Sequence, residues 1–380
     1  PNEELPAARP LETSPAYGVW KGQNAVFGQG YGMEHVNYFA PHGEEPYETP
    51  SFRRSNAHDT VGEECRAVRN AVGINETHNF GKYLVSGSGA EDWLDRVMAG
   101  RIPKQGRMTL SAMLSPKGRI IGDFTILRQN AETFRLAASF GTQAFHMRWF
   151  EQHLPEDGSV TVENISLKSI GFQIAGPNAR ELLSRVNRID VSNEALPFMS
   201  AIETEVGQCD ALIARVTYTG DLGYEIYVPP TQQLTLYQAL TEAGEDLGLR
   251  PFGMRAMMSL RLEKAFGSFL REFRPDYMPA ETGIDRFVSY NKPVDFIGKA
   301  AALQEKAAGP KRKLCCFVVE ATDADVWGDE PIWKGGEVVG FVTSGGYAHY
   351  VEKSLALGLV PVEMAVDGAE FGRASCRERV

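Results

Sequence analysis

The chain has 380 residues and a formal net charge of −10, and 43% of its residues are hydrophobic and 23% charged. This length exceeds what one hydrophobic core usually supports, so two or three domains are expected. The negative charge argues against nucleic acid as a main partner, and no apolar run is long enough to span a bilayer. Five cysteines without metal-ligand spacing predict reduced thiols, an intracellular compartment and no metal site.

The first 50 residues are rich in Pro and Gly and predict an extended arm or linker. A helix is expected to begin near Thr60, because Thr60-x-x-Glu63 matches a capping box, and to end near Asn70. The chain begins at Pro1 without an initiator Met, and we interpret this as a sign that it was cut or split from a longer protein.

An internal repeat follows this helix. The segment 83–97 recurs as 172–186, and both copies predict a strand, a Gly turn and an amphipathic helix. Gly87 aligns with Gly176 at the turn. The repeat predicts two related α+β subdomains in which the strands between the copies form antiparallel sheets.

A lone carboxylate, Asp123, interrupts the run 117–126, which otherwise reads as a strand. Asp is disfavoured in strands, and an unpaired charge in a packed sheet is costly. Gly122 has no side chain, which often marks close approach by a ligand or by another backbone. Asp123 is therefore either a paired or functional carboxylate or an edge-strand residue that faces water.

A second acidic residue, Glu225, lies in the segment 216–228, where two β-rich runs flank Gly220-Asp-Leu-Gly223 and predict a hairpin. Period-2 alternation puts Tyr224 on one face of the strand and Glu225 with Tyr227 on the other. A carboxylate beside tyrosines suits a flat heterocycle with paired N–H donors, since it can accept two such bonds. The alternative is a solvated charge on a hairpin.

The remaining sequence predicts a helix over 253–265 and another that opens at 295–300. Alternating strands with Gly turns follow at 314–319, 337–341 and 355–360, and they predict a small separate β domain.

Several segments, in this order, resemble the folate-binding aminomethyltransferase family, whose best-known member is the glycine cleavage T-protein. They are Phe80-Gly-Lys82 with the Gly87 turn, 118–123, 218–225, 259–263, 296–299, 340–345 and 353–356. Within the family the chain is most similar to the C-terminal folate half of dimethylglycine and sarcosine dehydrogenases, in which an FAD-dependent domain precedes the folate domain.

The resemblance implies an α+β fold, with duplicated α+β folate-binding subdomains and a small C-terminal β-barrel-like domain, as three domains in a ring around a central channel. We expect an N-terminal arm or linker from a missing FAD domain over 1–50, the aminomethyltransferase domain over 51–305 and the β-barrel-like domain over 306–366. Residues 367–380 are expected to be a truncated end, because the last stretch resembles a translated sequencing adapter. A genuine basic tail is the alternative.

The resemblance also implies site residues. Asp123 takes the position of the catalytic aspartate, and Glu225 that of the glutamate that binds the pterin ring of tetrahydrofolate. Further candidate contacts to the cofactor are Tyr224, Tyr83, Tyr218 and Arg255. Arg255 lies two residues before Met257, which stands where the T-protein has a pterin-side arginine. Burial should raise the pKa of Asp123 and a cationic iminium should lower it, so the direction stays open.

The predicted reaction transfers a one-carbon unit to tetrahydrofolate, capturing an iminium derived from an N-methyl amine as 5,10-methylenetetrahydrofolate. The predicted partner is an FAD-dependent oxidoreductase domain or subunit, so FAD is expected only in a missing or separate domain. No nucleic acid or membrane partner is expected, and the expected location is the cytoplasm, or the mitochondrial matrix in a eukaryote. The alternatives are a true glycine cleavage T-protein and a non-catalytic folate-binding or regulatory module.

Overall fold

A computed structural model describes residue Glu4 and residues 6–373. In this part the chain divides into two compact units. The first unit contains the described residues up to Lys82, Ile165–Lys264 and His349–Glu352, and the second contains Tyr83–Asn164, Ala265–Ala348 and the described residues from Lys353. The domain boundaries expected from the sequence, and the ring arrangement, stay predictions.

The helices are α1 Tyr17–Gly22, α2 His58–Asn70, α3 Ala90–Val97, α4 Gln143–His153, α5 Ala179–Val186, α6 Gln233–Gly244, α7 Met254–Leu262, α8 Pro279–Thr282 and α9 Lys299–Ala308. The strands are β1 Ala25–Gly30, β2 Met33–Phe39, β3 Val72–Glu76, β4 Phe80–Ser86, β5 Met108–Leu114, β6 Ile120–Arg128, β7 Thr133–Ser139, β8 Thr161–Asn164, β9 Ile170–Ala175, β10 Ala201–Val206, β11 Cys209–Ala214, β12 Gly223–Val228, β13 Leu249–Pro251, β14 Arg312–Val319, β15 Pro331–Lys334, β16 Glu337–Ala348, β17 Lys353–Pro361 and β18 Gly372–Arg373.

The first unit is built on a six-stranded sheet with the order β10-β11-β12-β9-β3-β13. Helices α5 and α6 contribute Leu183 and Leu240 to one core, which also contains Tyr224 and Ile226 of β12. Helices α2 and α7 contribute to a second core, which contains Ala175 at the end of β9. The unit also carries the β1-β2 hairpin.

The second unit contains two five-stranded sheets, with the orders β5-β6-β7-β4-β8 and β14-β17-β16-β15-β18. Helices α3 and α4 cover the first of these sheets, where Leu94 and Phe150 pack against Phe124 and Ile126 of β6. A further core joins Ala112 of β5 to aromatic residues of the segment 269–296.

The predicted repeat is confirmed in its local structure. Each copy is a strand, a glycine with positive φ (126° at Gly87 and 132° at Gly176) and a short helix. A Cβ atom on either glycine would lie within 2.3 Å of a backbone oxygen, so only glycine fits these turns. The strand order β5-β6-β7-β4 of one sheet recurs as β10-β11-β12-β9 in the other.

In the N-terminal region the predicted helix that ends near Asn70 is confirmed, whereas the extended arm and the capping box at Thr60 are wrong. The expected extended arm contains α1 and the β1-β2 hairpin, because Trp20 and Val36 are buried in the core of the first unit. Helix α2 begins at His58, two residues before the predicted capping box, and its Ala57 N-cap makes no side-chain hydrogen bond. The backbone N–H of Ala57 instead donates a hydrogen bond to the hydroxyl oxygen of Ser55, so the turn before the helix forms ahead of Thr60.

The hairpin that precedes Glu225 also differs from the prediction. Strand β12 pairs with β11, and residues 215–222 form a loop instead of a strand and a tight turn. The hydroxyl of Thr217 donates to the backbone oxygen of Asp221 (2.7 Å), and Asp221 forms an ion pair with Arg69. These local hydrogen bonds satisfy polar groups that would otherwise need partners on a neighbouring β-strand.

The expected C-terminal β strands are present as β14, β16 and β17, and β16 extends beyond its predicted end to Ala348. The predicted terminal segment is described only as far as Arg373, which ends β18. The expectation of an adapter-derived end, including Cys376, falls mostly on residues 374–380, which lie outside the described residues.

Candidate functional site

Asp123 lies in β6, an interior strand between β5 and β7, and pairs with Ala112. The edge-strand alternative is therefore wrong. Asp123 is partly exposed as a residue, but its Oδ1 atom is buried and has no hydrogen-bond partner among the described residues. Burial raises the pKa of Asp123 to about 7, which gives the direction that the sequence left open.

A second carboxylate, Glu272, also raises the pKa of Asp123 through its negative charge. Glu272 is fully buried, its Oε1 accepts a hydrogen bond from the hydroxyl of Thr343 (2.7 Å), and its Oε2 accepts one from the backbone N–H of Ser268 (2.9 Å). These bonds fix the carboxylate in place. No local pattern in the sequence marks Glu272, because it influences a residue far away along the chain.

Gly122 makes room for two side chains, not for a ligand or another backbone. A Cβ atom on Gly122 would lie 2.5 Å from Phe124 and 3.0 Å from Nε2 of His146. Nδ1 of the buried His146 lies 3.1 Å from the hydroxyl of Tyr83, whose ring packs edge-on against Phe150. Since Tyr83 has no exposed surface, we assign it to the core instead of to the folate contacts.

Glu225 lies in β12 of the first unit and is only 8% exposed, so the alternative of a solvated hairpin charge is wrong. Tyr227, on the same face as predicted, donates its hydroxyl to Oε2 of Glu225 at 2.5 Å. Burial raises the pKa of Glu225 to about 7, while this hydrogen bond and the charge of Lys82 act in the opposite direction.

Lys82 was not among the predicted site residues. It is 4% exposed, and its Nζ donates to the backbone oxygens of Thr77 (2.8 Å) and Phe80 (3.1 Å). The same nitrogen lies 5.7 Å from the centre of the Tyr227 ring. Burial lowers the pKa of Lys82 to about 7, and the charge of Glu225 acts to raise it.

A row of polar side chains extends from Glu225 across three strands. Glu225 pairs with Gln173 of β9, and Gln173 pairs with Asn75 of β3, so the three share one face of the sheet. Nε2 of Gln173 donates to Oδ1 of Asn75 (3.4 Å), while Oε1 of Gln173 is buried without a partner among the described residues. The row therefore contains a buried acceptor that no described residue pairs.

The other predicted contacts differ from one another in burial and in their partners. Tyr224 is fully buried in the core on the opposite face of β12 from Glu225, so its prediction as a folate contact is corrected. Tyr218 packs against the core of α2 and α7. Arg255 forms an ion pair with Glu48 (2.9 Å), and Met257 is a core residue of α7.

Over residue 4 and residues 6–373, no group of three or more His, Cys, Asp or Glu side chains is arranged to hold a metal ion. No helix in that part of the chain is long and apolar enough to cross a membrane.

Comparison with known proteins identifies the family. Residues 16–292 match the GCVT N-terminal domain, and residues 312–374 match the glycine cleavage T-protein C-terminal barrel domain. Human mitochondrial dimethylglycine dehydrogenase is 36% identical over 373 residues, which cover 97% of this chain and 43% of that protein. An aminomethyltransferase of Halothermothrix orenii is 30% identical over 311 residues, which cover 81% of this chain and 85% of that protein.

The chain thus spans less than half the length of the dimethylglycine dehydrogenase it matches. The crystal structure of glycine cleavage system aminomethyltransferase T from Bartonella henselae matches with a TM-score of 0.83 and 23% identity, covering 96% of this chain and 94% of that one. This likeness confirms the predicted α+β fold class with its C-terminal β-rich domain. The chain belongs to the folate-dependent aminomethyltransferase family, which includes the glycine cleavage T-protein.

Proposed function

We propose that the chain transfers a one-carbon unit to tetrahydrofolate, taking it from the oxidation of an N-methyl amine such as dimethylglycine or sarcosine. The observation that carries the proposal is the buried Oδ1 of Asp123, which has no partner among the described residues of a chain from a folate-dependent family. Identity of 36% to human dimethylglycine dehydrogenase supports the amine as the source of the carbon.

The polar residues of the first unit fit a reduced pterin. Glu225 would accept two N–H groups of the ring, because a carboxylate can accept a pair of such bonds. Oε1 of Gln173 lacks a donor and lies one strand away on the same face. Tetrahydrofolate, when bound, supplies the two amine nitrogens that take up the one-carbon unit as 5,10-methylenetetrahydrofolate, while the demethylated amine leaves from an iminium donor, or water from formaldehyde.

Asp123 would orient a folate amine and accept its proton at Oδ1. A base works best when its pKa lies near the working pH, and burial with the nearby Glu272 raises the pKa of Asp123 to about 7. Its negative charge, carried in part by a buried oxygen, would also stabilise a cationic iminium. Asp123 thus has the two properties that the transfer needs.

The oxidation step is assigned to an FAD-dependent domain or subunit. Human dimethylglycine dehydrogenase is more than twice the length of the part that this chain matches, so further protein accompanies the folate half in that relative. We propose that such a partner delivers the iminium or formaldehyde equivalent to Asp123. In a eukaryote the proposed location is the mitochondrial matrix, and elsewhere it is the cytoplasm.

The second candidate function is that of a glycine cleavage T-protein. The Halothermothrix orenii aminomethyltransferase supports it, because this chain covers 85% of that protein. The two candidates differ in the carbon donor. A T-protein would accept an aminomethyl group from a lipoyl carrier protein, whereas the proposed enzyme would use formaldehyde or an amine-derived iminium.

The proposal is tested first by binding. Calorimetric titration of the purified chain with tetrahydrofolate is expected to show one site, and Glu225→Ala is expected to weaken it by about 1–3 kcal/mol, the contribution of a charge-assisted hydrogen bond. Glu205→Ala, at an exposed position of β10 in the same sheet, is the matched control and should bind normally.

Transfer is then measured with formaldehyde and tetrahydrofolate, after subtraction of the uncatalysed reaction. An enhanced rate of 5,10-methylenetetrahydrofolate formation is expected. Failure of the wild-type chain to bind tetrahydrofolate would contradict the proposal. Binding without enhanced transfer, whether from formaldehyde or from the aminomethyl group of a lipoyl carrier protein, would instead favour the non-catalytic folate-binding module.

A further inference from the structure

Lys82 is a buried cation whose role the proposed reaction does not use. Its Nζ donates two hydrogen bonds to backbone oxygens of its own turn, at Thr77 and Phe80. Neutral carbonyl groups compensate an ammonium charge only in part, and a buried charge is costly unless it is paired. A position with 4% exposure therefore requires an anion close by.

The anion that acts on Lys82 is Glu225, and Tyr227 connects the two. Nζ of Lys82 lies 5.7 Å from the centre of the Tyr227 ring, and the hydroxyl of that ring donates to Glu225 at 2.5 Å. The three side chains form a buried charge cluster within the first unit.

Among the described residues, those that pair with Glu225 across the sheet are neutral. The directly paired neighbours of Glu225 are Gln173 on β9 and Ala214 on β11, which carry no charge. Tyr227 and Lys82 are the titratable groups that act on Glu225, and Glu225 is the one that acts on Lys82. The ionisation of each member therefore depends on the other.

We propose that Lys82 is a positioning residue that holds Glu225 as a carboxylate, so that Glu225 can accept the N–H groups of a pterin ring. This inference rests on the proposed folate function. A protonated Glu225 would have one oxygen occupied by its own proton and could accept fewer N–H groups. Lys82 makes this state less populated at neutral pH, because its positive charge lowers the pKa of Glu225, and it does so without contacting the ring that Glu225 binds.

The first experiment examines the chain without ligand. Lysine Nζ and Cε resonances are followed by NMR from pH 5 to 11 in wild type and Lys82→Met. One lysine is expected to titrate near pH 7 in wild type, about three pH units below ordinary lysines. That signal should be absent in Lys82→Met and should shift to lower pH in Glu225→Gln, because the stabilising negative charge is removed.

The second experiment measures the dissociation constant of tetrahydrofolate from pH 6 to 9 by calorimetry. Without the cation, the pKa of Glu225 rises further, so Lys82→Met is expected to bind about tenfold more weakly than wild type at pH 7 and within about twofold at pH 9. Lys82→Arg should restore binding at pH 7, since its charge is kept. Lys21→Met, at an exposed position of α1 in the same unit, is the control.

Thermal unfolding and near-ultraviolet circular dichroism establish that each variant is folded. A lysine spectrum without a titration near pH 7, or a pH profile of binding that Lys82→Met leaves unchanged, would overturn the inference alone. A wild-type chain that binds no tetrahydrofolate would overturn the proposed function and the inference together. The NMR titration, which needs no ligand, separates these two failures.

Discussion

Two carboxylates, one in each unit, have similar pKa values but neighbours of opposite charge. Burial raises the pKa of Asp123 in β6 and of Glu225 in β12 to about 7. Asp123 is influenced by another negative group, Glu272, whereas Glu225 is influenced by the cation Lys82 and by a hydrogen bond from Tyr227.

This difference fits the separate roles that we propose for the two carboxylates. A carboxylate with a negative neighbour and an oxygen without a partner gains a proton readily, as a general base must. A carboxylate beside a cation is shifted towards its charged form, in which both oxygens accept hydrogen bonds, as a binding residue requires. Similar pKa values therefore arise from different arrangements, and the neighbours distinguish the roles better than the values do.

The largest expected effect separates the roles directly. Asp123→Asn keeps the shape of the side chain and removes the base, so the rate of transfer should fall by at least about 100-fold. The dissociation constant of tetrahydrofolate should stay within about twofold of wild type. Quantification of 5,10-methylenetetrahydrofolate by chromatography checks the rate, with Asp92→Asn on the exposed side of α3 as the control. An unchanged rate would show that Asp123 is not the base.

Stability should depend on pH through Asp123. The folded-state pKa of about 7 exceeds the ordinary value of 3.8, so the proton stabilises the fold below about pH 4, and this contribution is lost as the pH rises through 7. Asp123→Asn should therefore gain about 2 kcal/mol relative to wild type between about pH 4 and 8, a figure below the full shift because the residue is partly exposed. Urea unfolding at several pH values measures the difference in free energy of unfolding between Asp123→Asn and wild type. A difference that does not change with pH would contradict the prediction.

Tyr83→Phe examines the assignment of Tyr83 to the core. Loss of its hydroxyl removes the bond to His146 and should lower the free energy of unfolding by about 1 kcal/mol. Tetrahydrofolate affinity should not change. Calorimetry and urea unfolding on the same sample test both parts, and a clear loss of affinity would restore Tyr83 as a folate contact.

The smallest expected effect concerns the negative neighbour. Glu272→Gln removes a like charge, so the pKa of Asp123 should fall and the acid limb of the transfer rate should move about half a pH unit lower. Glu151→Gln at an exposed position of α4 is the matched control. If the midpoint of the acid limb moves to higher pH or stays in place, Glu272 does not raise the pKa of Asp123.

The proposed site residues that could be predicted from the sequence are those with a local signal. Asp123 and Glu225 are charges inside β-rich runs, and alternation alone predicts that Glu225 shares a face with Tyr227. Lys82 is also a charge inside a β-rich run and part of the Phe80-Gly-Lys82 motif, but its link to Glu225 could not be predicted because Glu225 lies on a distant strand. Glu272 carries no such signal. Tyr224 was misplaced because the sequence shows which residues share a face but not which face a helix covers.

The fold shows the same limit. The repeat could be predicted because Gly87 and Gly176 mark turns that only glycine can adopt. The N-terminal hairpin could not, since it depends on Trp20, which is buried against residues far along the chain. Thr217 belongs to a β-rich run, yet its bond to Asp221 keeps the run as a loop.

The proposed separate roles are tested most directly by single-turnover transfer at saturating tetrahydrofolate, compared between Asp123→Asn and Glu225→Gln. We expect Asp123→Asn to lose at least about 100-fold in rate at unchanged affinity. We expect Glu225→Gln to require more tetrahydrofolate and then to react within about threefold of wild type, because binding lost in both ground and transition states leaves the saturated rate unchanged. Equal rate losses in the two variants, or the reverse pattern, would contradict separate roles for the two carboxylates.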